Sequence, residues 1–250
     1  MLTGMTDYFI EFYKRLDRQG PGDDKYTEMA FRLLDELPHN PRILDVGCGS
    51  GKQTLALARM APCQITAVDV YDCFLDILNE SVSRENLKGS ITTMNASMFE
   101  LPFEDEQFDL IWSEGSIYIM GFEKGLIQWK RFLKPGGYQV ASEMTWLRKD
   151  IPKEIFDFWK SAYAEIDTLT EKLNVIEKCG YQPLAHFTLP HYGWQQNYYD
   201  LMEVQKQNYL KLYGHVEEAR QVVESELELE MNLYKKYKDY YGYVFYIMQK

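Results

Sequence analysis

Short apolar runs alternate with longer amphipathic segments through the middle of the chain. The runs predict strands over residues 42–46, 64–68, 90–94, 108–113 and 138–143. Between them, apolar residues recur at helical spacing, as over residues 73–85 and 123–132. This alternation predicts an α/β fold with a mostly parallel sheet and helices on both of its faces.

The segments that flank this alternation are mainly helical. Aromatic and β-branched residues predict a sixth strand near residues 184–189 and a last strand over residues 242–249. The remaining predicted elements are two helices within residues 5–37, of which the second covers 26–37, a helical turn at 97–100, helices over 153–164 and 169–179, and helical structure throughout 195–236.

We expect one domain over residues 1–250. In this interpretation residues 1–40 form an N-terminal helical lid, and residues 41–189 form the ligand-binding core. Residues 190–241 form a second helical lid, and residues 242–250 return to the sheet as the final strand.

The most distinctive segment follows the first strand, where Gly47-Cys48-Gly49-Ser50-Gly51 precedes a helix. Glycines lack a Cβ atom, so a ligand can lie against the backbone N–H groups at the helix N-terminus. A Walker A loop is excluded because Val46 stands where its first glycine is required and Gln53 follows Lys52. A dinucleotide fingerprint is disfavoured because the third glycine, Gly51, comes one residue early.

Acidic residues end or follow three of the predicted strands. Asp45 and Asp69 lie at the carboxyl ends of the first and second strands, and Glu114 follows the fourth. Ligands of such sheets bind beyond the carboxyl ends of the strands, so the three acids should face one crevice. One carboxylate has two oxygens, which suits Asp69 to both hydroxyls of a ribose.

Two later segments complete the pattern. Residues 95–103, with Ser97 and Met98, lead towards the fourth strand, and a Lys-Pro-Gly-Gly turn at residues 134–137 precedes the fifth. The glycine loop, Asp69 and these two segments follow one another in a fixed order within residues 43–143. In that order they resemble the motifs of the class I (Rossmann-like) S-adenosylmethionine-dependent methyltransferases. The small-molecule branch with ubiquinone/menaquinone, phosphoethanolamine and glycine methyltransferases is the most similar. The Asn/Asp-Pro-Pro-aromatic motif of adenine and glutamine methyltransferases is absent after the fourth strand.

The resemblance implies a three-layer sandwich around a seven-stranded, mostly parallel sheet with an antiparallel last strand. It also implies S-adenosylmethionine as cofactor, S-adenosylhomocysteine as product, and in-line methyl transfer to N, O or C of a small molecule. Asp45 and the glycines would hold the methionine end, Asp69 the ribose, and Ser97 with the Met98 backbone the adenine. The implied cofactor-binding residues are Asp45, Gly47, Cys48, Gly49, Ser50, Gly51, Asp69, Val70, Ser97, Met98 and Glu114. An NAD(P)-dependent oxidoreductase and a non-catalytic S-adenosylmethionine-binding module remain as alternatives.

The acceptor side is less defined by the sequence. A general base is required only if the acceptor loses a proton, and the candidates are Glu114, Tyr118, Glu143 and His191. Aromatic clusters near both ends of the chain suggest a substrate enclosure formed by Tyr8, Tyr13, Tyr192 and Trp194. Core packing is the competing interpretation of those aromatic stripes. The glutamate-rich stretch from Glu217 to Glu230 is typical of the solvated face of a long helix.

Composition narrows the possible partners. With 250 residues, 46% hydrophobic and 26% charged, the chain has the composition of a soluble globular domain. The formal net charge of −11 argues against nucleic acid as substrate. No apolar run reaches the length of about 20 residues that a membrane span needs. The four cysteines have no metal-ligand spacing, so we expect no metal. No signal peptide is recognisable, so we expect a cytoplasmic protein. We expect the chain to act as a monomer or homodimer.

Overall fold

A computed structural model describes residues 7–87 and 89–250, apart from the side chains of residues 225 and 226. The predicted N-terminal lid therefore lies outside the described residues over its first six positions.

The described strands form one sheet. They are β1 (Arg42–Val46), β2 (Gln64–Asp69), β3 (Ile91–Asn95), β4 (Phe108–Glu114), β5 (Leu133–Trp146), β6 (Asp167–Thr168), β7 (Gln182–Thr188) and β8 (Tyr241–Gln249). Their order is β3-β2-β1-β4-β5-β8-β7, and the two-residue β6 pairs with β5 beside this path. Only β8 pairs antiparallel to its neighbours within this sheet. The predicted mostly parallel sheet with an antiparallel last strand is confirmed, with β6 as an additional short strand.

Helices cover both faces of this sheet. They are α1 (Asp7–Tyr13), α2 (Asp24–Phe31), α3 (Lys52–Met60), α4 (Asp72–Arg84), α5 (Phe122–Trp129), α6 (Lys153–Ala162), α7 (Leu169–Lys178), α8 (His191–Trp194), α9 (Asp200–Tyr213), α10 (Glu217–Gln221) and α11 (Glu228–Tyr237). Because side chains alternate along a strand, the consecutive residues Ile43 and Leu44 lie in two different hydrophobic clusters. The predicted three-layer arrangement is thereby confirmed.

Two elements differ from their predicted bounds by five residues or more, and one predicted helical turn is not helical. β5 begins at Leu133, because the pairing with β4 jumps from Leu133 to Tyr138 and the intervening Lys-Pro-Gly-Gly segment forms an irregularity within the strand. Gly136 has a φ of 74° there, which glycine adopts without strain. α2 ends at Phe31 rather than at Leu37, and residues 97–100 form a non-helical turn.

The C-terminal helical region is also less regular than predicted. It is interrupted at residues 214–216, beginning at Gly214, a residue type with low helix propensity. Two π-helical segments, Gln195–Tyr199 and Val222–Leu227, join the α-helical parts. A π-helical turn adds a residue to the turn and so rotates the helix that follows it. No helix among the described residues combines the length and the hydrophobicity required to cross a bilayer.

Candidate functional site

A cavity of about 580 Å³ lies at the carboxyl ends of β1, β2 and β4. This volume is within the range of small-molecule sites, and the position is the switch point where open α/β sheets bind ligands. One part of its wall consists of the glycine loop, the end of β2 and the segment that follows β3. The other part is aromatic and comes from the segments that flank the core.

The glycine loop contributes backbone to the cavity wall. Gly47 and Gly49 have φ values of 72° and 54°, and both line the cavity. A Cβ atom on Gly47 would lie 2.5 Å from Cβ of Ser116, and one on Gly49 would lie 2.5 Å from Oε1 of Gln19. Neither position can accept a side chain without displacing a neighbour, which explains the two glycines.

Gly51 has a different role from the first two glycines. Its φ is 79°, and a Cβ atom there would lie 2.3 Å from Cδ1 of the buried Leu78 on α4. Gly51 does not line the cavity. The third glycine therefore allows α4 to pack closely against the loop.

Asp69 joins the glycine loop to the end of β2. The Gly49 N–H donates to its Oδ2 at 2.9 Å, and the Tyr71 N–H donates to its Oδ1 at 3.0 Å. Burial raises the pKa of this carboxyl, and these backbone bonds oppose the rise. Each oxygen can accept a further bond, so Asp69, which lines the cavity beside Val70, can bind two hydroxyl groups of a ligand.

Asp45 lies beneath the loop instead. It is fully buried, accepts the Thr54 hydroxyl at 2.6 Å, and is approached by the Gln53 amide nitrogen at 3.3 Å. The same Gln53 nitrogen donates to the carbonyl of Cys48 at 3.0 Å. Burial raises the pKa of Asp45 to about 7. Asp45 does not line the cavity and can affect a ligand only through the position of the loop, whereas Cys48 does line it.

The segment after β3 forms a further part of the wall. Ser97 and Met98 both line the cavity. The Phe99 N–H donates to the Ser97 hydroxyl at 3.3 Å, and the Trp129 indole N–H donates to the Met98 carbonyl at 3.1 Å. These bonds fix a turn at the cavity wall, where a planar ligand could lie against it.

The N-terminal segment covers the glycine loop. The Gln19 side-chain oxygen accepts the Ser50 N–H at 2.8 Å, while the Gln19 amide donates to the carbonyls of Tyr13 and Leu16. The Ser50 hydroxyl donates to the Asp17 carbonyl at 3.0 Å. Gln19 was not among the predicted site residues, because its role depends on a contact 31 positions away in the chain.

Glu114 is buried at the centre of the wall. Its Oε1 accepts the Thr27 hydroxyl at 2.7 Å and the Trp112 indole N–H at 2.9 Å. Its Oε2 lies 3.7 Å from an Arg18 nitrogen and has no hydrogen-bond partner among the described residues. Burial raises the pKa of Glu114, against the opposing charge of Arg18. A ligand donor could satisfy this buried oxygen.

We call the aromatic part of the cavity the aromatic chamber. It is lined by Tyr118, Phe158, Trp159, Tyr163, Trp194, Tyr198 and Tyr243. Tyr13 lines the cavity next to it. Burial raises the pKa of Tyr118 above its usual range, so this phenol is neutral and suited to donate a hydrogen bond.

Not all of the predicted enclosure faces the cavity. Tyr8 packs edge-on against Tyr213 with ring centroids 5.8 Å apart, and Tyr192 packs against Tyr26 at the same separation. Neither Tyr8 nor Tyr192 lines the cavity. Both belong to packing between the flanking segments and the core.

Two of the predicted general-base candidates also lie outside the cavity. His191 bonds to the Tyr234 hydroxyl at 3.2 Å and to Asp239 at 3.1 Å, on another face of the chain. Glu143 is buried and accepts Lys172 and the Tyr163 hydroxyl, each at 2.6 Å. It therefore supports the chamber wall from behind through Tyr163.

Glu230 on α11 faces the cavity, and its assignment to a solvated helix face is wrong. Its Oε1 accepts the Tyr199 hydroxyl at 2.8 Å. The π-helical segment just before α11 sets the rotation of this helix. Glu230 therefore lies on the same face as the buried Leu227, the face that is turned towards the cavity. The spacing of three residues from Leu227 was the available signal for this placement. Glu228, by contrast, is partly exposed and pairs with Lys206.

Comparisons with known proteins find similarity to methyltransferases. Residues 43–137 match the family model of a methyltransferase domain. Methyltransferase GfsG of Streptomyces halstedii is 29% identical over 130 residues, which are 52% of this chain and 46% of that protein. The ubiquinone/menaquinone biosynthesis C-methyltransferase of Geotalea daltonii is 29% identical over 140 residues, which are 55% of this chain and 59% of that protein. The matched region thus spans about half the length of these relatives.

The fold is shared over the whole chain. A crystal structure of a Geobacter sulfurreducens S-adenosylmethionine-dependent methyltransferase, in complex with S-adenosylhomocysteine, superposes with a TM-score of 0.84. The superposition covers 98% of both chains at 19% sequence identity, which establishes a common fold. Residues 43–137 therefore match a methyltransferase domain, and the chain shares the Rossmann-like fold of an S-adenosylmethionine-dependent methyltransferase.

Proposed function

We propose that this chain transfers a methyl group from S-adenosylmethionine to a small-molecule acceptor. The observation that carries the proposal is the position of Asp69, whose carboxylate faces the cavity between the glycine loop and the Ser97–Met98 turn. The methyltransferase family match and the fold shared with a structure that holds S-adenosylhomocysteine support the same ligand.

The residues at the wall fit such a ligand. Asp69 would accept both ribose hydroxyls, and the bare backbone at Gly47 and Gly49 would allow the methionine end to lie close to the loop. The turn at Ser97 and Met98 would meet the adenine. When bound, S-adenosylmethionine supplies an electrophilic methyl carbon on a positively charged sulfur.

The rest of the chain would position the acceptor and exclude water. The acceptor atom must be held in line with the departing sulfur, and positioning of this kind can supply most of the rate enhancement. The aromatic chamber surrounds the space beside the loop, and aromatic faces tolerate positive charge while keeping water out. Glu114 and Tyr118 are the two predicted acid–base candidates that line the cavity, and they are the residues proposed for a proton transfer if the acceptor requires one.

An oxidoreductase that binds NAD(P) is the less favoured alternative. A dinucleotide-binding loop needs its third glycine one residue later than Gly51. Gly51 instead packs against Leu78. A non-catalytic binding module would keep the Asp69 site but transfer nothing.

The test is transfer of tritium from methyl-labelled S-adenosylmethionine into a metabolite extract. We expect label in an extractable product with the natural chain and loss of nearly all of it with Asp69→Ala. The matched control is Asp76→Ala, an exposed acid on α4, which should transfer label normally. Binding of S-adenosylhomocysteine without label transfer would instead support the non-catalytic module.

A further inference from the structure

Glu230 brings a carboxylate to the aromatic chamber without a basic partner. Within the described residues its hydrogen bond comes from the Tyr199 hydroxyl, and no Lys, Arg or His side chain lies at ion-pair distance. The phenols of Tyr118, Tyr198 and Tyr243 are all affected electrostatically by this charge. The chamber therefore has a carboxyl group that no basic side chain of the described residues neutralises.

The basic residues at the cavity wall are engaged elsewhere. Arg18 pairs with Asp24 at 2.5 Å and lies 3.7 Å from Glu114. Lys52 pairs with Asp17 at 3.2 Å beside the glycine loop. Among the described residues of the wall, an anionic acceptor would consequently meet the carboxylate of Glu230 with no free cation next to it.

A cationic group would satisfy both features of the chamber. A carboxylate withdrawn from water is costly unless it is paired, and a bound cation supplies the missing pair. Aromatic faces attract ammonium groups through their quadrupoles, with the largest effect at sites shielded from water. Burial raises the pKa of Glu230, and an adjacent positive charge would favour its ionised form.

We infer that the methyl acceptor carries an amine or ammonium group, and that Glu230 and the surrounding aromatic rings bind its positive charge. The inference rests on the proposed function, because it concerns the acceptor of the same site. Glu230 acts here as a binding residue, and its role requires no proton transfer.

The test compares two probes of equal shape with the protein saturated by S-adenosylhomocysteine, which keeps the probes out of the cofactor position. The probes are choline and the neutral alcohol in which a tert-butyl group replaces trimethylammonium. Binding is followed by tryptophan fluorescence, because Trp159 and Trp194 line the chamber. We expect choline to bind about tenfold more tightly than the neutral isostere, a difference of about 1.4 kcal/mol.

The matched variants are Glu230→Gln and Glu228→Gln on the same helix. Glu230→Gln keeps an acceptor for Tyr199 and should remove the preference for choline, while Glu228→Gln should retain it. Both variants should bind S-adenosylhomocysteine as the natural chain does, which also shows that they fold.

The two proposals fail in different ways. Equal binding of the two probes to the natural chain, or binding of neither, would overturn the inference without the use of any variant. An unchanged preference in Glu230→Gln would overturn it as well. Absence of S-adenosylhomocysteine binding by the natural chain would overturn the proposed function instead.

Discussion

Two aspartates lie at the carboxyl ends of neighbouring strands of the sheet, and they differ in what surrounds them. Asp69 faces the cavity and accepts backbone N–H groups on both oxygens. Asp45 is enclosed by Thr54 and Gln53 and has no access to the cavity. At the residue scale, an acid at the end of a strand can therefore bind a ligand or hold the loop that binds it.

Asp45 should make stability depend on pH. Its pKa is raised from 3.8 to about 7 in the folded chain, so between these values the folded chain holds a proton that the unfolded chain has lost. Stability therefore falls as pH rises through this window, by at most about 1.4 kcal/mol per pH unit for one proton. Asp45→Asn should remove this contribution.

Urea unfolding at about pH 5 and about pH 8 measures the effect. We expect the natural chain to lose more stability than Asp45→Asn between the two conditions, with the exposed Asp76→Asn behaving like the natural chain. Equal losses in the natural chain and Asp45→Asn would show that Asp45 is ionised normally in the folded state.

At the scale of elements, a buried ion pair joins β5 to α7 behind the chamber. Lys172 Nζ lies 2.6 Å from Glu143 Oε1, and both side chains are almost fully buried. The Lys172 ammonium also lies 4.7 Å from the ring centroid of Phe122, and Tyr163 donates to the same carboxylate oxygen. The pair thereby fixes the wall residue Tyr163 through two elements of the core.

Breaking this pair should destabilise the fold strongly. Lys172→Met leaves the Glu143 carboxylate buried without a counter-charge, and we expect a loss of about 3–5 kcal/mol in the free energy of unfolding. Glu143→Gln combined with Lys172→Met removes both charges and should recover much of that loss. Chemical denaturation of the two variants measures their free energies of unfolding. A double variant that is no more stable than Lys172→Met would contradict the account.

At the scale of the whole molecule, the fold follows largely from local sequence patterns. The bounds predicted for β1 agree with those observed, because a short apolar run between Pro41 and Gly47 can form little else. The glycine loop and the acid that ends β2 are also recognisable, since parallel strands bring their carboxyl ends to one edge. These features depend on neighbours in sequence or on a simple topological rule.

The acceptor side could not be predicted in the same way. Glu230 and Gln19 reach the cavity through contacts between distant segments, and a π-helical turn decides which face of α11 points inward. His191 and Tyr192 are close in sequence to the chamber residue Trp194. They nevertheless contact Tyr234 and Tyr26 outside the cavity. Helical periodicity identifies a buried face, but it does not distinguish a core from a cavity wall.

The central claim is that the glycine loop and Asp69 bind an adenosyl-methionine ligand. Calorimetric titration of the chain with S-adenosylhomocysteine, and separately with NADH, tests this most directly. We predict that S-adenosylhomocysteine binds and that Asp69→Ala weakens it about tenfold or more, as expected for lost hydrogen bonds to a charged group. NADH should produce no binding heat. Binding of NADH that depends on Asp69, with none of S-adenosylhomocysteine, would contradict the account.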